Sequence, residues 1–365
     1  MKPLSDYRRL FPILERTCYL NSNSMGAMPA STEAALRDYA RQWAAEGGEA
    51  WDAWLPMIGE VADLAGRFIG AGPGELILNQ NVSYFQAVVA SCLEFTPRRN
   101  KVVLAALDFP SVLYVWERFR KYGADPCIVP SDDGIDIPTQ RILEAIDERT
   151  VIVPISHSYY VSSALVDIPA IVRRAHQVGA LVLVDVYQTA GVMPIDVKAW
   201  DVDFAVGGSH KWLCGGPGCC WLYVKPSLRE TLEPRATGWF AHAAPFAFEP
   251  PPIRYAPGAW RYMGGTPAIP AYFAAREGYR ILLEVGLPRI AEQNRRLTQR
   301  LIDGAHDAGF VAIDFPGADR ARDVLIAEGF KLDYRPNCGL RIGPHFYNTE
   351  EELDRLLTRI GIVHS

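Results

Sequence analysis

Residues 180–184 read Ala-Leu-Val-Leu-Val, an apolar run with no polar side chain at alternate positions. A strand of this kind has both faces covered, which occurs in a sheet with helices packed on each side. Short apolar runs recur at 75–78, 101–107, 125–129, 151–155, 204–206 and 219–224. Helical periodicity fills the gaps at 84–93, 111–122, 140–149 and 169–178. Strand and helix in alternation predict an α/β architecture around a largely parallel sheet. Two amphipathic stretches precede it, 31–45 with Ser31 as N-cap and 51–69.

The texture changes near residue 245, where 245–257 is rich in Pro and aromatic residues. Helical patterns follow at 268–285 and 287–308, then short strands and a final helix at 349–360, with Thr349 and three acids at its start. A chain of 365 residues exceeds what one hydrophobic core usually supports. We divide it into an N-terminal segment, 1–45, that packs with a small domain, a large domain, 46–265, and linking helices with a smaller α+β domain, 266–365.

With 37 basic and 42 acidic residues, the net charge of −5 speaks against a general nucleic-acid partner. The first residues lack the apolar stretch of a signal peptide, and no apolar run reaches the ~18 residues of a membrane span. A cytoplasmic protein without membrane association is the expectation. Seven cysteines in a chain of this length do not suggest a disulfide framework. Cys214, Cys219 and Cys220 cluster without the paired spacing of a zinc site, so no metal is expected.

The densest chemistry lies between 182 and 211. One buried strand ends at Asp185, and ligand crevices in open α/β sheets lie at strand carboxyl ends. The next strand runs into Gly207-Gly208-Ser209-His210-Lys211. A lysine just after a strand, flanked by glycines and polar donors, is a Schiff-base candidate. An acid one strand earlier is placed to keep a pyridinium nitrogen protonated. Asp with Lys is the pair that pyridoxal 5'-phosphate requires.

The string Asp185-Val186-Tyr187-Gln188-Thr189-Ala190-Gly191, then Asp201-Val202-Asp203-Phe204, then Ser209-His210-Lys211-Trp212-Leu213 and Gly215-Gly216-Pro217-Gly218, resembles the class V aminotransferase superfamily of fold-type I. Cysteine desulfurases, isopenicillin N epimerases and kynureninases belong to it. The likeness to the kynureninase branch extends over nearly the whole chain. It implies a fold-type I enzyme with a mostly parallel, seven-stranded type of sheet, a homodimer with shared active sites, and an amino-acid substrate. Asn23-Ser24-Met25-Gly26 resembles the kynureninase N-terminal Asn-Ser-Leu-Gly, which marks Asn23 and Ser24 for the substrate. Asn81-Val82-Ser83 resembles the loop whose backbone N–H groups cradle the cofactor phosphate, at Val82 and Ser83. Phe109-Pro110-Ser111 resembles the segment whose Phe stacks on the pyridine ring, with Ser111 beside it. Ser209, His210 and Gln188 complete the cofactor set. Gly238-Trp239-Phe240-Ala241-His242 and Gly264-Gly265-Thr266-Pro267 resemble loops that reach the other subunit's cofactor, through Trp239 and Thr266. Leu340-Arg341-Ile342-Gly343 resembles the segment whose arginine binds the substrate α-carboxylate, and its guanidinium fork suits a carboxylate. Arg335 is read as a brace of the small domain.

Three positions depart from the kynureninase pattern. His210 stands where Tyr precedes the lysine, Gln188 where His follows the aspartate, and Val112 where Asp follows Phe-Pro-Ser. The first two are the desulfurase choice. Cys338 precedes Arg341 by only three residues, too close for a desulfurase's mobile nucleophile. The resulting expectation is a pyridoxal-phosphate hydrolase that cleaves the Cβ–Cγ bond of L-kynurenine or a related aromatic amino acid and releases alanine. Lys211, Asp185 and His210 are its catalytic residues, and Trp51, Trp54 and Phe240 shape an aromatic pocket or belong to the core. One alternative is another reaction of the class, such as C–S or other β-elimination, transamination or epimerisation. A second is a non-catalytic interaction protein on the same fold, against which the intact Asp185, Lys211 and Arg341 speak.

Overall fold

A computed structural model describes residues 2–301 and 309–364. Twelve strands are described: β1 (Cys18–Tyr19), β2 (Leu76–Asn79), β3 (Lys101–Ala105), β4 (Asp125–Val129), β5 (Thr150–Ser156), β6 (Leu181–Asp185), β7 (Phe204–Gly208), β8 (Cys220–Val224), β9 (Val311–Ile313), β10 (Phe330–Lys331), β11 (Asp333–Arg335) and β12 (Gly339–Ile342). The apolar runs of the central segment become one seven-stranded sheet in the order β2-β8-β7-β6-β5-β3-β4. Every residue of β5, β7 and β8 is buried, as unalternated apolar strands require.

The sheet is not wholly parallel: β8 runs against both of its neighbours, β2 and β7. A parallel pair needs a crossover of a dozen or more residues, usually a helix. The stretch 209–219 between β7 and β8 is too short for one, so the chain doubles back, and the tight reversal carries Lys211. The Ile168–Gln177 helix links β5 to β6, capped by Asp167 accepting from the Ala170 N–H at 3.0 Å. The Pro110–Arg118 helix links β3 to β4.

Two further sheets lie in the terminal parts. β11-β12-β9 is antiparallel, while β1 pairs in parallel with β10. Cys18 and Leu20 are buried in one apolar cluster with Leu297, Leu325, Leu340 and Leu353. The chain's first strand is thereby fastened to its last quarter. Asn21 bridges to Gly343, two residues beyond Arg341.

The Ser31–Glu46 helix begins where the periodicity places it, but Ser31 is its first turn and not its cap. Ala30 already has helical torsions, and no side chain caps this end. The final helix, Glu350–His364, does have the expected start: the Glu352 N–H donates to Thr349 Oγ1 at 3.3 Å, and the Thr349 N–H to Glu352 Oε2 at 3.1 Å, a reciprocal capping box. The helix expected at 287–308 is described as Leu287–Leu301, and the rest of that span lies outside the described residues. No helix among the described residues is long and apolar enough to cross a membrane.

Candidate active site

A cavity of ≈ 380 Å³ opens at the carboxyl ends of β2, β3, β5, β6 and β7. That size is typical of a small-molecule site, and the position is where an open α/β sheet leaves its crevice. Asp185 closes β6 and faces it, 8% exposed. Lys211 reaches it from the β7–β8 reversal. Its ammonium lies 4.9 Å from the centre of the Tyr187 ring and 5.8 Å from that of Phe109. Burial pushes the Asp185 carboxyl above the usual carboxylate range, and the Tyr187 N–H, at 2.9 Å, and the Lys211 charge pull it partly back. Burial pushes the Lys211 amine down, against the Asp185 carboxylate. An amine with a depressed pKa, in a cleft and beside a buried acid, has the setting of a reactive lysine.

The floor of the site depends on close backbone contact. Gly26 donates its N–H to the His210 carbonyl at 2.7 Å, and a Cβ on Gly26 would fall 2.1 Å from the Lys211 carbonyl oxygen. The Asn23–Gly26 segment thus presses on the backbone of His210 and Lys211 as only a glycine allows. Asn23 is buried at the cavity wall, and neither its amide nitrogen nor its oxygen has a partner among the described residues. Buried polar groups without a partner are uncommon and mark a place for a ligand.

Opposite, Asn81 caps the Val82–Ser91 helix by accepting from the Tyr84 N–H at 2.9 Å. That cap starts the helix two residues before the periodicity does. Val82 and Ser83 become its first turn, whose N–H groups have no intrahelical partner and favour an anion. Both line the cavity, as do Phe109 and Ser111. Gln188 also lines it, with its amide fixed by a bond to the Asn23 carbonyl at 3.2 Å and one from Trp212 Nε1 at 3.3 Å.

Arg341 enters from β12, 2% exposed. It donates from Nη1 to the Tyr160 carbonyl at 2.6 Å, from Nε to Asp333 at 3.2 Å, and from Nη2 to the same carboxylate. Arg335 lies 3.3 Å from Asp333 and also lines the cavity. Two guanidiniums around one carboxylate leave a net positive charge, suited to a carboxylate ligand.

One expectation needs correction. Ser209 does not face the cavity: it is fully buried, and its hydroxyl donates to the carbonyls of Gly216, at 2.7 Å, and Cys219, at 2.8 Å, tying the β7–β8 reversal. Of the two readings left open for Trp51, Trp54 and Phe240, the structure favours the core: they do not line this cavity, Trp51 packs on Trp54 and Phe240 with centroids 5.3 and 5.5 Å apart, and Trp54 and Phe240 are buried in the main core. Trp239 stacks on Phe248 and meets Phe246 edge-on, and Thr266 is exposed; neither lines the cavity of its own chain, in keeping with the expected contacts to the other subunit. The cysteines are all free thiols, and Cys338 is buried in the β11–β12 turn.

Sequence reading missed Tyr187, Cys220 and Tyr160, which line the cavity. Tyr187 sits two residues beyond a strand end already singled out, and that position was signal enough. Tyr160 lies four residues beyond the end of β5. Cys220 stands at the start of the 219–224 run, whose apolar pattern does not mark it for the cavity.

His157 supports this floor. Its N–H donates to the Asp185 carbonyl at 2.9 Å, its ring meets Thr189 Oγ1 at 2.9 Å, and it packs edge-on against Trp200. Burial pushes its pKa down to about 4. The folded state therefore refuses a proton that the unfolded state takes below pH ~6.5, and the histidine's effect on stability is lost as pH falls from there toward 4. Relative to His157→Gln, the wild type should lose up to about 1.4 kcal/mol per pH unit within that window. Denaturant midpoints of both proteins at pH 7 and pH 5 check it; an unchanging difference would contradict it.

A wound α/β sheet with a buried acid and a half-buried lysine at its carboxyl edge, and a helix N-terminus on the same cavity, defines a cofactor-dependent enzyme of the pyridoxal-phosphate type. Residues 18–331 match the family described as Aminotransferase class-V, and the chain belongs to that family. It is 31% identical to the uncharacterized aminotransferase YcbU of Bacillus subtilis (strain 168), over 97% of this chain and 96% of that one. It is 27% identical to a kynureninase of Burkholderia pseudomallei (strain K96243), over 93% and 87% of the two chains. Among solved structures, the apo cysteine desulfurase from Thermococcus onnurineus NA1 superposes with a TM-score of 0.85 at 21% identity, over 100% of this chain and 98% of that one, which shows the shared fold. The protein is thus a pyridoxal-phosphate-dependent enzyme of the class V family. The residues present suit that cofactor: a buried acid, a lysine amine on the same cavity, the helix N-terminus at Val82 and Ser83, and the unpartnered Asn23 carboxamide.

Proposed function

We propose that this enzyme acts on an amino acid in a kynureninase-like way, hydrolysing the Cβ–Cγ bond of L-kynurenine or a related aromatic substrate. The observation that carries an amino-acid substrate is the convergence of Lys211, Asp185 and Arg341 on one cavity. An aromatic side chain is supported by the Phe109–Tyr160 pair at the rim, edge-to-face with centroids 5.2 Å apart, and by the kynureninase relatives.

Pyridoxal phosphate, when bound, supplies the electron sink for a carbanion at the substrate α-carbon. Lys211 would hold the cofactor aldehyde, and its amine would move the α-proton. Asp185 keeps a proton on the ring nitrogen. Phe109 covers the ring, and Gln188 borders it. The N–H groups of Val82 and Ser83, with Ser111 and His210, bind the phosphate. Arg341, oriented by Asp333 and Tyr160, takes the α-carboxylate, with Asn23 and Ser24 beside it. Hydrolysis of the Cβ–Cγ bond would consume one water and give alanine and an aromatic acid. Trp239 and Thr266 serve the second subunit of a homodimer.

Arg341→Lys keeps the charge and loses the fork. We expect kcat/KM to fall roughly 10- to 100-fold, mostly through KM. Steady-state kinetics over a substrate range decide it, and an unchanged KM would remove Arg341 from carboxylate binding.

A second reading is β-elimination, C–S cleavage included. It is favoured by Val112 and by the committed amide of Gln188, neither of which can activate water. Elimination needs a base at Cα and a leaving group at Cβ, and Lys211 supplies the base. Incubation with L-kynurenine and 3-hydroxykynurenine should yield a fluorescent anthranilate and alanine. Pyruvate or a keto acid from another amino acid, with no anthranilate, would establish the second reading in its place.

A further inference from the structure

We infer that Tyr187 is a positioning residue that sets the tautomer of His210, so that His210 presents an N–H donor to the cofactor phosphate. Tyr187 touches each of the three groups around it. Its backbone N–H holds Asp185 Oδ1 at 2.9 Å, its ring lies 4.9 Å from the Lys211 ammonium, and its hydroxyl meets His210 Nδ1 at 2.6 Å. Space for that hydroxyl is built into β7: a Cβ on Gly208 would fall 2.2 Å from the Tyr187 oxygen. The same oxygen lies 3.5 Å from Cys220 Sγ.

Between a phenol and a neutral imidazole, the phenol is the better donor and the ring nitrogen the better acceptor. Burial, and then the Lys211 charge, keep His210 neutral, with a pKa pushed down to about 4. With Nδ1 accepting from Tyr187, the ring proton is confined to Nε2, the nitrogen left for a ligand. A neutral donor is what this place needs, because a second cation would oppose Lys211, whereas an N–H still satisfies an anionic oxygen. The kynureninase pattern has a tyrosine at 210, whose hydroxyl meets the phosphate directly. Here the hydroxyl comes from residue 187 and acts through the imidazole.

The inference rests on the reading that this cavity holds pyridoxal phosphate with His210 at its phosphate end. Tyr187→Phe preserves the ring beside Lys211 and the backbone contact to Asp185, and removes only the hydroxyl. Binding of pyridoxal phosphate and of phosphate-free pyridoxal to the apo-enzyme is measured at equilibrium for wild type, Y187F, H210Q and the double variant. Gln at 210 offers a donor amide near the Nε2 position and needs no tautomer partner. Losing the hydroxyl should raise the Kd for pyridoxal phosphate about 5- to 10-fold, as for one ordinary hydrogen bond, and leave the Kd for pyridoxal unchanged. In the H210Q background the same substitution should have no effect. An unchanged Kd in Y187F, an equal loss for both aldehydes, or a persistent loss in the H210Q background would each overturn it. A wild-type chain that binds neither aldehyde would instead defeat the underlying site assignment.

Discussion

Lys211→Ala should yield a protein that no longer holds pyridoxal phosphate covalently and that turns over about 10³-fold more slowly or worse. Lys211 is half-buried in the cavity wall and is the lysine among its lining residues. Burial lowers its pKa, so a useful fraction is unprotonated near neutrality and able to attack an aldehyde. The adjoining reversal is held by Ser209, which ties Gly216 and Cys219, and by Gly26 against the His210 carbonyl. The truncation therefore removes the amine without loosening its support. Borohydride reduction followed by peptide mapping should locate the cofactor on Lys211 in the wild type and on no peptide of the variant. An unchanged adduct in the variant would sink the assignment. Primary alkylamines added in solution should restore part of the lost rate, since proton transfer needs an amine at that place and not its tether.

Asp185→Asn should lower turnover by about 10²- to 10³-fold while the cofactor still binds. The substitution preserves shape, and Oδ1 can still accept from the Tyr187 N–H. What it removes is the negative charge, and with it the means of keeping a ring nitrogen protonated. At a buried site that charge matters by several kcal/mol, because no water substitutes for it. A second readout is independent of turnover. The Asp185 carboxylate holds the Lys211 pKa up against burial. In apo D185N that support is gone, so the pH midpoint for labelling Lys211 with an amine reagent should move down from the wild-type midpoint. A midpoint that stays in place would show that the two groups are not coupled, and normal turnover would remove Asp185 from the chemistry.

Much of this was legible in the residues alone. The unalternated strands predict a covered sheet, and all seven appear in the structure within a few residues of their expected places. Asp185 and Lys211 stand out because each follows such a strand, and strand ends are where an α/β sheet exposes side chains to a ligand. The direction of β8 was not legible from hydrophobicity, which is the same for parallel and antiparallel burial. It followed from the length of 209–219. Ser209 was misread because a hydroxyl beside a reactive lysine is compatible with either a ligand or the backbone, and here the reversal consumes it. Trp51, Trp54 and Phe240 were open between pocket and core, since aromatic composition does not say which way a ring points.

By itself, the sequence determined the covered α/β sheet, the buried acid and lysine at its carboxyl edge, and the class V resemblance, because these depend on local periodicity and on spacing within about thirty residues. The resemblance implied that several distant groups share one site, but only the tertiary structure brings them physically to one cavity. Asn23, Val82, Phe109, Tyr160 and Arg341 are brought to Lys211 by the sheet order and by the pairing of β1 with β10. The bond from Tyr187 to His210 was likewise invisible beforehand: it joins two strand ends that the chain separates but that β6 and β7, paired side by side, place within 2.6 Å. Strand pairing and the close approach permitted at Gly26 and Gly208 are properties of the folded whole, and they set the chemistry of the site.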